Sequence, residues 1–134
     1  MPKVLIVDDE PNIVVSLQFL MRKSGFETSV ARDGDEALVE VERFRPDILL
    51  LDVMMPSRDG YEVCRQLRAS GWTELKIVML TAKGRETEVT KGLALGADAY
   101  VTKPFSTAEL VQTVTTLLGV AGGRDDGGQG GGDA

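Results

Sequence analysis

The chain has 134 residues, 43% of them hydrophobic and 27% charged, a balance that fits one compact domain and leaves little for a second. Fifteen Lys and Arg against 21 Asp and Glu give a net charge of −6, so direct nucleic acid binding is not expected. The absence of histidine excludes Ser-His-Asp and Cys-His catalysis, His-ligated metals and a phosphohistidine on this chain, and the single cysteine, Cys64, makes no internal disulfide. No apolar run approaches the ~20 residues of a membrane span, and a strand starting at Lys3 leaves no room for a signal peptide, so a cytoplasmic location is expected.

Short apolar runs alternate with amphipathic segments, the pattern of strand-helix units on a parallel sheet. The first strand, Lys3–Val7, is continuously apolar from Val4 and runs into Asp8 and Asp9. Pro11 suits a first helical turn, Ile13, Val14, Leu17, Leu20 and Met21 form one stripe, and Gly25 ends the helix. Phe26–Ala31 alternates as a strand with one wetter face does, and Asp33 with Glu36 three residues on marks the start of a second helix. The strand Asp47–Leu51 is again continuously apolar from Ile48 and meets Asp52. Asp59 with Glu62 opens a third helix in which Cys64, beside Tyr61, Val63 and Leu67, reads as packing, and Trp72 reads as a loop cover.

Lys76–Leu80, continuously apolar from Ile77, is the third such strand and is followed by Thr81. A helix over Glu86–Leu95 is weakly signalled, because Thr87, Val89, Thr90 and Gly92 are mediocre helix formers. The last strand, Ala99–Thr102, carries Tyr100 and leads to Lys103 and Pro104, and Ser106 with Glu109 opens the last helix. Residues 119–134 hold eight of the 15 glycines and few apolar side chains, and read equally as a flexible tail or a truncated linker beyond a domain of residues 1–118. The fold expected is one doubly wound α/β domain with five helices. The apolar strands lie central, the order is 2-1-3-4-5 as in flavodoxin-like folds, and a crevice opens between strands 1 and 3.

Asp8, Asp9 and Asp52 then stand at the carboxyl ends of the two strands flanking that crevice. Three uncompensated carboxylates repel one another unless a cation shares the site, and an oxygen-only donor set of this kind suits Mg²⁺ with positions left for phosphate oxygens. Thr81 and Lys103, at the ends of the fourth and fifth strands, bring a hydroxyl and an ammonium to the same edge, the donors that a phosphoryl group needs. On this reading Asp52 is the nucleophile, Asp9 and Asp52 bind metal, Asp8 is an outer acidic support, Lys103 is a charge clamp and Thr81 senses the product. Singly, Asp9 reads as a helix cap, Thr81 as a turn hydroxyl and Lys103 as an edge charge; four strand ends converging with complementary chemistry outweigh those readings. For Tyr100, core packing and a switch role stay equally open.

The segments VLIVDDEP at 4–11, PDILLLDVMMPSRDGYEVC at 46–64, IVMLTA at 77–82 and GADAYVTKPF at 96–105 resemble those of a bacterial response regulator receiver domain, over residues 3–118. The resemblance implies a two-component or phosphorelay switch in which Asp52 takes a phosphoryl group from a phosphohistidine of a sensor histidine kinase or a histidine phosphotransfer protein. It further implies that Asp8 and Asp9 form the acidic pocket, that the main-chain carbonyl of Met54 is the third protein ligand to Mg²⁺, and that Lys103 contacts the phosphoryl group. Thr81 and Tyr100 would be the switch pair, Lys103-Pro104 a cis bond, and a downstream protein would read the face of the Glu86–Leu95 helix, the last strand and the last helix. Such a protein is a signalling phosphoacceptor limited to self-phosphotransfer and slow loss of phosphate, not a turnover enzyme. Relatives that dimerise through the last-helix face carry an acid and an arginine where this chain has Ala99 and Thr113, which disfavours that mode. The alternatives are a Mg²⁺-dependent aspartyl-phosphate phosphatase, a flavin carrier and an unphosphorylated scaffold. Against the first stands Met54, two residues past Asp52 where a water-activating acid would be needed, and against the second the acids after strand 1.

Overall fold

Period-two alternation inside the apolar strands divides the core into two layers. The computed structural model describes residues 1–55, 57–82 and 95–120. Five parallel strands, β1 (Lys3–Val7), β2 (Glu27–Ala31), β3 (Ile48–Asp52), β4 (Lys76–Ala82) and β5 (Ala99–Lys103), form one sheet of order β2-β1-β3-β4-β5. Leu5, Val7, Leu49, Leu51, Ile77 and Met79 face α2 (Gly34–Phe44) and α3 (Gly60–Ala69), where Ala37, Val41, Val63, Cys64 and Leu67 close the layer. Val4, Ile6, Ile48, Leu50, Val78 and Leu80 point the other way, onto Leu17 and Met21 of α1 (Pro11–Lys23) and Leu110 and Val114 of α4 (Thr107–Leu118). Each of these large side chains is fully buried, a contribution of ~1.5–3 kcal/mol apiece, so β1, β3 and β4 form a stiff platform.

The helix starts follow the sequence signals. The side chains of Asp33, Asp59 and Ser106 accept from the backbone N–H of Glu36, Glu62 and Glu109 at 2.8, 2.9 and 3.2 Å, each satisfying a donor that the first helical turn leaves open. Gly25 follows α1 with φ 95°, a left-handed conformation that suits glycine. Cys64 is buried with its thiol directed at the Leu95 carbonyl, 3.6 Å away, and burial raises its pKa. Trp72 packs on the α2/α3 layer beneath the Arg45 guanidinium.

Three strands run further than their side-chain pattern predicts. Asp52 is the last residue of β3 and pairs with Leu80, while Thr81 and Ala82 continue β4 opposite Thr102 and Lys103. A polar side chain looks like a strand end in sequence, but the ladder continues wherever a neighbouring backbone remains to pair with. Asp52, Thr81 and Lys103 are therefore held by the sheet itself, whereas Asp8 and Asp9 follow the end of β1. The helix expected over Glu86–Leu95 lies outside the described residues except for Leu95, which is in a turn, and 121–134 lie outside as well. Among the described residues no helix is long and apolar enough to cross a membrane.

Candidate functional site

A parallel sheet sends the carboxyl ends of β1, β3, β4 and β5 to one edge. Asp8, just past β1, is fully buried; its Oδ1 accepts from the Glu10 N–H at 3.0 Å and its Oδ2 from Lys103 Nζ at 3.0 Å. Asp52 is also buried, with Oδ1 accepting from the Met54 N–H at 3.3 Å and lying 3.4 Å from Lys103 Nζ. Asp9 is exposed, and one carboxylate oxygen from each of Asp8, Asp9 and Asp52 falls within 4.8 Å of the others. Glu10, not Asp9, is the N-cap residue of α1, and no side chain caps that end, so the capping alternative for Asp9 is removed.

The charge balance is unequal. Three carboxylates face one ammonium, and burial together with the neighbouring Asp8 charge pushes Asp52 up to about 6, against the pull of Lys103 and the Met54 N–H. Burial alone would lower the Lys103 pKa, but its bond to Asp8 and the charge of Asp52 raise it, so Lys103 stays protonated. Thr81 is buried at the end of β4, and its Oγ1 has no hydrogen-bond partner among the described residues. An unmatched buried hydroxyl costs ~1–3 kcal/mol, which a site retains when a later ligand supplies the partner.

The turn out of β3 is fixed at its backbone. Val53 N donates to Leu80 O at 3.0 Å and Gly60 N to Val53 O at 2.9 Å. Tyr100 is half-buried on β5 against the α2/α3 layer, opposite Met79, and Lys103-Pro104 is cis. Asp98 is committed within the chain: its Oδ2 accepts from Ile77 N at 2.8 Å and from Arg68 at 3.0 Å. Sequence reasoning missed three participants. Glu10 Oε1 lies 3.7 Å from Lys103 Nζ, Arg58 spans α2 and α3, and Arg68 bonds the carbonyls of Trp72, Leu75 and Gly96. None of the three carried a local signal, because each acts through partners that only the fold brings near.

An acidic pocket at the carboxyl edge of a 2-1-3-4-5 sheet, with a lysine delivered by the last strand, has a match among known families: residues 4–115 fit the model of the response regulator receiver domain. The chain belongs to that family. This receiver is 46% identical over 128 residues to the sensory transduction protein RegX3 of Mycolicibacterium smegmatis, covering 96% of this chain and 55% of that protein. It thus spans about half the length of the curated relatives it matches. Among solved structures, the receiver domain of the Francisella response regulator 1452 superposes with a TM-score of 0.82 at 35% identity, covering 87% of this chain and 96% of that one. The chemotaxis protein CheY4 of Vibrio cholerae gives 0.81 at 32% identity, covering 87% and 98%. The chain is accordingly a receiver domain of the two-component response regulator type, and its cluster of Asp8, Asp9 and Asp52 fits such a domain's acidic site.

Proposed function

We propose that this receiver takes a phosphoryl group onto Asp52 from the phosphohistidine of a sensor histidine kinase or histidine phosphotransfer protein, with Mg²⁺ held by Asp8, Asp9, Asp52 and the main-chain carbonyl of Met54. The observation that carries this reading is the juxtaposition of three carboxylates, the Lys103 ammonium 3.4 Å from Asp52, and the buried, unpartnered Thr81 hydroxyl.

The donor set fits the ion. One carboxylate oxygen from each of Asp8, Asp9 and Asp52 lies within 4.8 Å of the others, so these acids would offer a small hard cation a compact set of oxygen ligands. Hard oxygen ligands and a deficit of positive charge are what Mg²⁺ selects, and once bound it would supply positive charge to phosphate oxygens. An Asp52 carboxylate oxygen attacks phosphorus, the P–N bond to the partner's imidazole breaks, and that imidazole keeps the electron pair. Lys103 neutralises charge on the incoming oxygens, and Thr81 Oγ1 donates to one of them. Tyr100 then answers the displacement of Thr81, and the face carrying β5 and α4 changes for a downstream protein.

Two features support signalling over turnover. Met54 stands where an aspartyl-phosphate phosphatase needs an acid, and its side chain is exposed without a titratable group. Val15 and Phe19 are 66% and 68% exposed on α1, which starts three residues after Asp8, and leave on that helix an apolar surface suited to a phosphodonor protein. Residues 1–118 are the working domain, 119–134 a tail or linker, and the location is cytoplasmic. The test is mass spectrometry after incubation with Mg²⁺ and a small acyl phosphate. One added phosphoryl on Asp52, absent in Asp52→Asn, is expected; labelling retained in Asp52→Asn at the wild-type rate refutes the assignment.

A further inference from the structure

Beyond the pocket, the chain leaves β3 at Asp52 and returns into α3 at Gly60, and that return is packed against the phosphoacceptor's own backbone. A Cβ on Gly60 would lie 2.6 Å from the Asp52 carbonyl oxygen and 2.9 Å from Val53 Cα, so no side chain separates the first residue of α3 from the end of β3. Gly60 N also donates to Val53 O at 2.9 Å. Any displacement of the start of α3 is therefore passed directly to Asp52 and Val53.

Arg58 stands two residues before that start. Its Nε donates to Asp35 Oδ1 in the first turn of α2 at 2.6 Å, and its Nη1 donates to Gln66 Oε1 on α3 at 3.1 Å, with Glu62 Oε2 3.8 Å away. One planar guanidinium thus ties two helices together just before the α3 cap at Asp59. The backbone beneath it is seated with equal closeness: a Cβ on Gly34 would lie 2.4 Å from the Arg58 carbonyl oxygen and 2.5 Å from Arg58 Cβ. Gly34 lets α2 touch the Arg58 main chain while Asp35, its neighbour, holds the Arg58 side chain.

We propose that Arg58 is a positioning residue for divalent-cation binding: braced by Asp35 and Gln66, it fixes the entry to α3 and with it the Asp52–Val53 backbone at the edge of the acidic pocket. The proposal rests on the Mg²⁺ reading above. Arg58 and Asp35 are 40% and 63% exposed, so the pair adds little to global stability, and its effect is local.

The test is titration of the full chain with Mg²⁺ alone, followed by NMR, in Arg58→Gln and Asp35→Asn. These variants change the charge near the pocket in opposite senses, yet both break the brace. Weaker Mg²⁺ binding by about two- to fivefold is expected in each, with the urea midpoint nearly unmoved. The double variant should be no weaker than either single one, and Arg58→Lys, which keeps the charge but loses the fork, should not restore binding. A purely electrostatic role predicts tighter binding in Arg58→Gln and weaker in Asp35→Asn, and that result overturns the proposal. Wild-type affinity in both variants overturns it too, while the metal reading survives if Asp9→Ala still abolishes binding. Failure of the wild-type chain to bind Mg²⁺ removes both.

Discussion

Replacing Asp52 by asparagine should stabilise this protein, and the gain should depend on pH. Burial and the Asp8 charge hold the Asp52 carboxyl at about 6 in the folded chain, against 3.8 when it is free. Because the folded state keeps that proton more tightly than the unfolded state, the contribution of Asp52 to stability is fully present below about pH 4 and is lost as pH rises through about 6. At 1.36 kcal/mol per pH unit of difference, the ionised folded state carries a penalty of about 3 kcal/mol near pH 7.5 and about 1 kcal/mol near pH 4.5. Asparagine is never ionised and escapes the penalty at every pH. Urea denaturation of both proteins without divalent ions, from about pH 4.5 to about pH 7.5, should show the variant's advantage growing by about 2 kcal/mol, with a thermal midpoint roughly 10 °C higher at the upper end. A variant advantage that does not change with pH, or a less stable variant near pH 7.5, would refute the account of Asp52 as a desolvated and repelled carboxylate.

Millimolar Mg²⁺ should raise the melting temperature of the wild-type chain near neutral pH by relieving that repulsion, and Asp9→Ala should cancel most of the rise in the same scanning calorimetry. Thr81→Val removes a buried hydroxyl that has no partner, so it should cost no stability and gain about 1 kcal/mol in urea titrations. The same variant should still be labelled on Asp52, while the Tyr100 resonances shift much less on addition of an acyl-phosphate mimic than they do in wild type. Phe19→Ala should leave labelling by a small acyl phosphate unchanged while slowing transfer from a phosphohistidine protein about tenfold, the loss of ~1.4 kcal/mol expected for a truncated interface aromatic. Equal slowing with both donors would remove α1 from partner docking.

Much of the architecture is written in short-range pattern. Val4–Val7, Ile48–Leu51 and Ile77–Leu80 are apolar on both faces, so they had to be central, and the acceptor-and-Glu pairs at Asp33, Asp59 and Ser106 mark helix starts through contacts three residues apart. With the sheet order set by right-handed crossovers, the convergence of Asp8, Asp9, Asp52, Thr81 and Lys103 on one edge could also be read from the chain. What could not be read there is the state of each group. Lys103 pairs with Asp8 across 95 positions, Asp52 is pushed up to about 6, Thr81 is left without a partner, and Arg58 finds Asp35 23 residues back. Capping and strand burial are properties of neighbours along the chain and survive in a linear pattern. Desolvation and Coulomb interaction depend on what lies within a few ångströms in any direction, and only the packed sheet and its helices decide that.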